Sequence, residues 1–300
     1  MTTMNHQYLA RIFYSDETIN EVMANNKIIE TDEITNVSLI DRKKNTNYID
    51  RYDEQILKKD KDNDLYKVIN IDGSGYRGYL VAIYDPSKVK LVTTNYPKEK
   101  GETLTEYSKR YNAKVAINAS GFHDQNGISD GGTPTGSVIS NGKVIHSEKQ
   151  RELFGGIIGF DYDNNLILTK EDINTALINH NLRDAVEFGP FLIVNGKPSF
   201  IKGDGGWGIA PRTAIGQRSD GIVLFLIIDG RRIGYSLGAD MVELTRIMQN
   251  YKAINASNLD GGASTTLTVE QKVKNKPGAG LTIKVSERPL PNAWIVTEWL

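Results

Sequence analysis

The chain contains no cysteine. That absence excludes disulfides, thiolate metal sites and a cysteine nucleophile, and it leaves the compartment open. Charge of one sign is lacking too: 36 Lys and Arg stand against 37 Asp and Glu. No dense basic run offers a stripe for a phosphate backbone, so nucleic acid is not an expected partner. No apolar run reaches the roughly 18 residues of a membrane helix, and no membrane partner is expected. The four histidines, His6, His123, His146 and His180, are scattered, which rules out an H-E-x-x-H metal motif. The sequence calls for no cofactor, and it leaves a divalent cation and its ligands open. Residues 1–30 are polar, with Asp16, Glu17 and Glu21, and lack the basic-then-apolar pattern of a signal peptide. Action inside the cell, or release by lysis or within a larger particle, is the expectation.

What is present falls into two parts. Residues 1–65 are rich in Asn, Asp, Lys and Glu. Tyr8, Ile12, Ile19, Val22 and Met23 hint at short helices, and Leu57–Asp64 reads as a charged linker. This part is expected to be an appendage that packs on a neighbour or assembles copies into an oligomer or particle. Residues 66–300 read as one larger domain. Strands are predicted over 79–84, 89–94 and 114–118, and a capping box at Thr103–Glu106 opens a helix. Asn141-Gly142 and Asn195-Gly196 each sit between apolar pairs, a strong hairpin signal. Ile222 to Ile228 is an unbroken apolar run, a strand buried on both faces. Asp240 caps a second helix with Met241, Leu244, Met248 and Tyr251 on its core stripe. The string Ala-Ile-Asn-Ala-Ser occurs at 116–120 and again at 253–257, each time after a capped helix and before a glycine-bearing loop. Two related halves, placing two strand-end loops at one cleft, would explain the echo.

Polar residues beside glycine at strand ends are the candidates for chemistry, because loops on a rigid scaffold carry function. They are Asn118, Gly121 and His123, then Glu187, Arg212 and Asp229, then Asp260, Gly261, Gly262 and Ser264, then Arg288 with Asn292. Asp260 and Glu187 are candidate acid, base or nucleophile, since paired carboxylates serve glycosyl hydrolysis. Arg212 offers a fork for a phosphate or carboxylate; the alternative is a surface ion pair. The Gly261-Gly262 amides and the Ser264 hydroxyl suit an anionic or sugar-like ligand. Asn118 is either a donor to the ligand or a turn-former. His123 is either a ligand contact or a loop histidine with no role. Asp229-Gly230 alone reads as turn chemistry.

The order AINASGF, GTPTGSVISNGKVI, GPFLIVNGKP, PRTAIG, IIDGRRIGYSLGADMVELTRIM, NLDGGASTT and RPLPNAWIV resembles the phosphodiester glycosidase family over about residues 70–298. The resemblance implies an α+β fold with mixed β-sheets and helices around a central cleft. It implies hydrolysis of the glycosidic C–O bond of a sugar-1-phosphodiester. By match it assigns the site to Asn118, Gly121, Arg212, Asp229, Asp260, Gly261, Gly262 and Ser264, with Glu187 and Arg288 less secure. Ala119-Ser120-Gly121 departs from the Gly-Gly-aromatic run of many relatives, so the first loop and the sugar preference differ. Together with the Asn- and Lys-rich N-terminus, the resemblance points to a bacteriophage or prophage protein of a low-GC Gram-positive host. In that setting the chain would reside in a virion, or in the cytoplasm until lysis, and act at the cell wall on a phosphate-containing glycopolymer such as a teichoic acid. The rival readings are a phosphodiesterase cleaving P–O and a non-catalytic glycan-binding module of a phage particle.

Overall fold

Three antiparallel sheets curve around one apolar core in the computed structural model, which describes residues 10–43, 48–60, 63–124, 129–148, 155–278 and 286–298. The seven-stranded sheet runs Lys197–Pro198, Phe191–Val194, Ala253–Leu259, Arg212–Arg218, Val223–Ile228, Tyr76–Ile83, Tyr66–Gly73. One five-stranded sheet runs Lys272–Val273, Leu267–Val269, Val115–Asn118, Asn292–Val296, Val89–Thr93. The other centres on Leu182–Phe188, between Val138–Ser140 and Gly156–Asp161. Phe225 and Ile227 from the first, Ile117 and Trp294 from the second, and Ile158 and Val186 from the third fill the shared core.

Helices cover the outer faces. The strand Val223–Ile228 is buried on both sides, as its apolar run predicts. It sends Phe225 inward and Leu224 and Leu226 outward under the helix Met241–Asn250. Met241, Leu244, Met248 and Tyr251 of the predicted stripe are all buried there. The capping box at Thr103 is present, and Leu104 and Tyr107 of that helix cover the second sheet. Both Asn-Gly turns place their two residues at positive φ, Asn141 and Gly142 at 50° and 71°, Asn195 and Gly196 at 54° and 77°. That is the turn whose twist matches the flanking strands.

The α+β class is as expected, but the sheets are not mixed: every ladder among the described residues is antiparallel. The reason lies in the two helix crossovers. Val89–Thr93, helix Leu104–Arg110 and Val115–Asn118 form one crossover, and Asn292–Val296 lies between its two strands. Val223–Ile228, helix Met241–Asn250 and Ala253–Leu259 form the other, with Arg212–Arg218 between. Each parallel pair is thus split by an antiparallel strand. The repeated Ala-Ile-Asn-Ala-Ser falls at the last strand of each unit, overrunning its end at 116–120 and opening it at 253–257, so the sequence echo coincides with a repeated topology.

The N-terminal segment wraps the same domain. Helix Asp16–Ala24 is capped by Ser15 and buries Ile19, while Ile12 and Val22 are exposed. Lys27–Ile29 pairs with Phe200–Lys202. The Glu30 carboxylate accepts from the amides of Gly155 and Phe191 at 2.9 and 2.6 Å. Ile28 and Ile56 join the core under helix Met241–Asn250. Asp53 is fully buried and meets Arg218 at 3.3 Å and the Lys252 ammonium. Tyr8, Lys61 and Asp62, from the predicted helices and linker, lie outside the described residues.

Candidate active site

The ends of the two echoed strands meet. Asn118 Nδ2 donates to the Asp260 carbonyl at 2.6 Å, and the Asp260 amide donates to the Ala119 carbonyl at 3.2 Å. Asn118 Oδ1 accepts from Thr213 Oγ1 at 2.8 Å and from the Thr266 amide at 3.2 Å. The side chain is fully buried, with one amide N–H and both acceptor directions of Oδ1 engaged. Asn118 is thus a strut that fixes the Asp260 loop. Asn292 plays a similar part, accepting from the Ser120 amide at 2.9 Å.

Asp260 follows at the end of Ala253–Leu259. Burial pushes its carboxyl up to about 6. The Ser264 hydroxyl, the Arg288 charge and the Gly261 amide oppose that rise, and the Asp124 charge adds to it. Ser264 thus contacts Asp260 rather than waiting for a ligand. The turn that holds the carboxyl requires its glycines. A Cβ on Gly261 would meet the Pro211 carbonyl at 2.9 Å, and Gly262 has φ of 62°. The amides are not free, however. The Gly261 amide favours the charged form of the Asp260 carboxyl, and Gly262 donates to the Pro211 carbonyl at 2.9 Å. Of the two amides expected to cradle a phosphate, that of Gly262 is thus already paired within the protein.

Positive charge comes instead from two arginines beside the turn. Arg212 is buried, with Nε donating to Ala239 O at 3.0 Å and Nη2 to Trp207 O and Gly208 O at 2.9 and 2.5 Å. Burial lowers its pKa to about 10, with the nearby Arg231 charge contributing. Arg231, which the sequence analysis did not single out, reaches within 3.4 Å of where a Gly262 Cβ would sit. Burial lowers its pKa as well. Among the described residues neither arginine has a carboxylate partner. The Asp240 and Asp204 charges act on Arg212 from a distance, while burial alone is felt at Arg231, so the pair keeps positive charge to offer an anion. Arg212 spends much of its fork on three carbonyls, so Arg231 is the freer of the two.

Other expected residues separate into two groups. Arg288 pairs with Asp124 at 2.6 Å and lies over the Phe122 ring at 4.7 Å, close enough to Asp260 for both charges to be felt there. Glu187 accepts from the Ser137 amide at 2.9 Å, and the next strand end is tied to the Asp260 loop by Asn258 Nδ2 donating to Gly189 O at 2.8 Å. Glu148, also not singled out, accepts from the Gly136 amide at 3.0 Å and meets His123 Nε2 at 3.3 Å. Gly121 is needed where it stands, because a Cβ would meet Thr135 Oγ1 at 2.7 Å and the Phe188 ring at 3.0 Å. Asp229 is buried, and it accepts from Tyr235 Oη, Asn275 Nδ2 and the Lys276 amide at 3.0, 3.0 and 2.9 Å. That set ties Asp229 into the scaffold beside the turn. Among the described residues no cluster of three or more His, Asp or Glu is placed to hold a metal ion. Two cavities of about 550 and 440 Å³ lie away from the Asp260 loop.

Comparison with known proteins bears on the family and the fold. The family model for phosphodiester glycosidases matches residues 111–297. The SPbeta prophage-derived protein YomE of Bacillus subtilis is 30% identical over 205 residues, covering 66% of this chain and 30% of that one. The chain thus spans under a third of that relative. The catalytic domain of zebrafish N-acetylglucosamine-1-phosphodiester alpha-N-acetylglucosaminidase, auto-inhibited by its pro-peptide, superposes with a TM-score of 0.63 at 19% identity. The match covers 78% of this chain and 82% of that domain. An exported protein of Burkholderia pseudomallei gives 0.54 at 16%, covering 74% of each chain. At these identities the structural likeness is one of fold.

Proposed function

This chain belongs to the phosphodiester glycosidase family, and from that premise we propose that it hydrolyses the C–O bond between a sugar and its 1-phosphodiester. The observation that carries the reading is the juxtaposition of Asp260 with Arg231 and Arg212 around one tight turn. The phosphodiester carries one negative charge, and its phosphate gains a second as the sugar bond breaks. Arg231, with the remaining donors of Arg212, stabilises that developing charge. The departing phosphomonoester is a good leaving group and needs little protonation. The attacking water is the harder partner. Asp260, ionised above about 6, takes the water's proton or stabilises the oxocarbenium-like sugar. Glu187, on the strand whose end is tied to the Asp260 loop, is the candidate second carboxylate. Arg288 and Asp124 position Asp260 and tune its charge.

The likeness to a prophage protein supports a phage setting, and there the substrate would be a phosphate-containing wall glycopolymer such as a teichoic acid. Residues 1–65 would then serve assembly as well as packing. The test is incubation with a purified sugar-1-phosphodiester and with wall polymer, followed by assay of reducing ends and phosphomonoesters. Both products are expected together. Polymer binding with neither product would mean a glycan-binding module. Phosphate-linked sugar without new reducing ends would mean P–O cleavage.

A further inference from the structure

A second cluster of cations lies far from the Asp260 loop. The strand Val89–Thr93 pairs its Thr93 with Asn292, beside that loop, and its Val89 with Val296, at the opposite end. Four residues of strand separate the two ends, about 14 Å. At the Val89 end is the cavity of about 440 Å³, lined by Lys88, Lys90 and Arg183 with Asn141, Tyr162 and Asn164.

Its charges do not balance. Arg183 is buried and donates to Asp184 Oδ2 at 2.9 Å, to Asn164 Oδ1 at 2.6 Å and to the Val89 carbonyl at 2.6 Å. Asp184 is buried too and accepts from the Asn141 amide at 3.1 Å. Lys88 Nζ reaches only the Glu298 carbonyl, at 3.4 Å. Lys90 is half-buried and has no hydrogen-bonded or ion-paired partner among the described residues. Burial, with the charges of Arg183 and Lys88, lowers its pKa against the opposing Asp184 charge. Three cations thus face one buried carboxylate, Asp184, while Asp85 is engaged by the amide and hydroxyl of Ser87, which also lines the cavity. Crowding like charges in a concave site is unfavourable unless an anion fills it. The polar side chains of Asn141 and Tyr162 border the same space, so the lining can offer hydrogen bonds as well as charge. Asn141 is held at this rim by its turn at positive φ.

We propose that this cavity is a second anion site and that it binds a phosphate group, either free or as a link of a phosphodiester chain. The assignment stands on this cavity alone and is independent of the chemistry at Asp260. In it, Lys90 and Lys88 contact the phosphate oxygens directly. Arg183 sets the floor and supplies fixed charge.

The experiment uses the full chain carrying Arg231→Ala, which weakens anion binding at the Asp260 loop. Inorganic phosphate and a short poly(glycerol phosphate) oligomer are titrated separately by calorimetry. The same titrations follow with Lys88→Ala and Lys90→Ala added, and with Lys90→Gln alone should the first combination fail to fold. At least about a tenfold loss of affinity for the bound probe is expected on removing the lysines, the size of a lost charge-assisted contact. Binding of phosphate alone identifies a free-phosphate site, and tighter binding of the oligomer identifies a polymer site. Unchanged affinity on removing the lysines, or no binding of either probe at millimolar concentration, overturns the proposal.

Discussion

Asp260 is held where its negative charge is unfavourable, and that sets two expectations. Its folded-state pKa, about 6, lies above the ordinary 3.8. The folded protein therefore binds this proton more tightly than the unfolded chain does. Stability is fullest below the unfolded value and falls as pH rises towards 6, by up to about 3 kcal/mol. Asp260→Asn removes that penalty. The variant should unfold later than the parent at pH 8 and show little gain at pH 4, as read from urea midpoints. Its turnover should drop by at least about 100-fold, the usual contribution of a positioned proton acceptor. A folded variant with parental turnover would shift the role to Glu187. The parent's own rate should rise with pH through about 6, because the ionised form is the active one. A rate that falls over that range would make Asp260 an acid instead.

The arginines separate by a different readout. Inorganic phosphate should inhibit the parent competitively, and Arg231→Ala should weaken that inhibition by about tenfold with little change in stability. Arg212→Lys should also lower turnover, but through a loosened Trp207–Gly208 segment, since lysine cannot hold three carbonyls at once. Equal inhibition constants for parent and Arg231→Ala would remove Arg231 from the phosphate site. Arg231 stood in plain sight in the Asp-Gly-Arg-Arg turn, yet nothing local distinguishes it from turn chemistry. Asn118 and Asp229 show the opposite case. Their partners, Thr213 and Asn275, are 95 and 46 residues away, so sequence showed polar residues beside glycine but not that they were already bonded.

At the scale of elements, local rules read well. The capping box at Thr103, the two Asn-Gly turns and the doubly buried strand Val223–Ile228 depend only on neighbouring residues, and each is present. Sheet direction was not legible, because it depends on which strand slips between two others. The N-terminal segment was not legible either. Its polar composition hides the few residues that matter, Ile28, Ile56 and Asp53. These bind it to the domain it precedes. Asp53→Ala should lower stability by about 3–5 kcal/mol, as expected when a buried ion pair loses one member. Deleting residues 1–60 should then yield a poorly folded chain. A deletion variant with the parental unfolding midpoint would make the segment a true appendage.

For the whole molecule, three curved sheets and two split crossovers bring two echoed strand ends together, and the Asp260 turn is what they build. Family membership and this turn point to the same chemistry, breakage of a sugar–oxygen bond with an arginine-held phosphate leaving. The most direct test is hydrolysis of a sugar-1-phosphodiester in water enriched in heavy oxygen, with both products weighed by mass spectrometry. Attack at the sugar carbon predicts the heavy atom in the released sugar and none in the phosphomonoester. Heavy oxygen in the phosphate would contradict the account and make the protein a phosphodiesterase on a glycosidase fold.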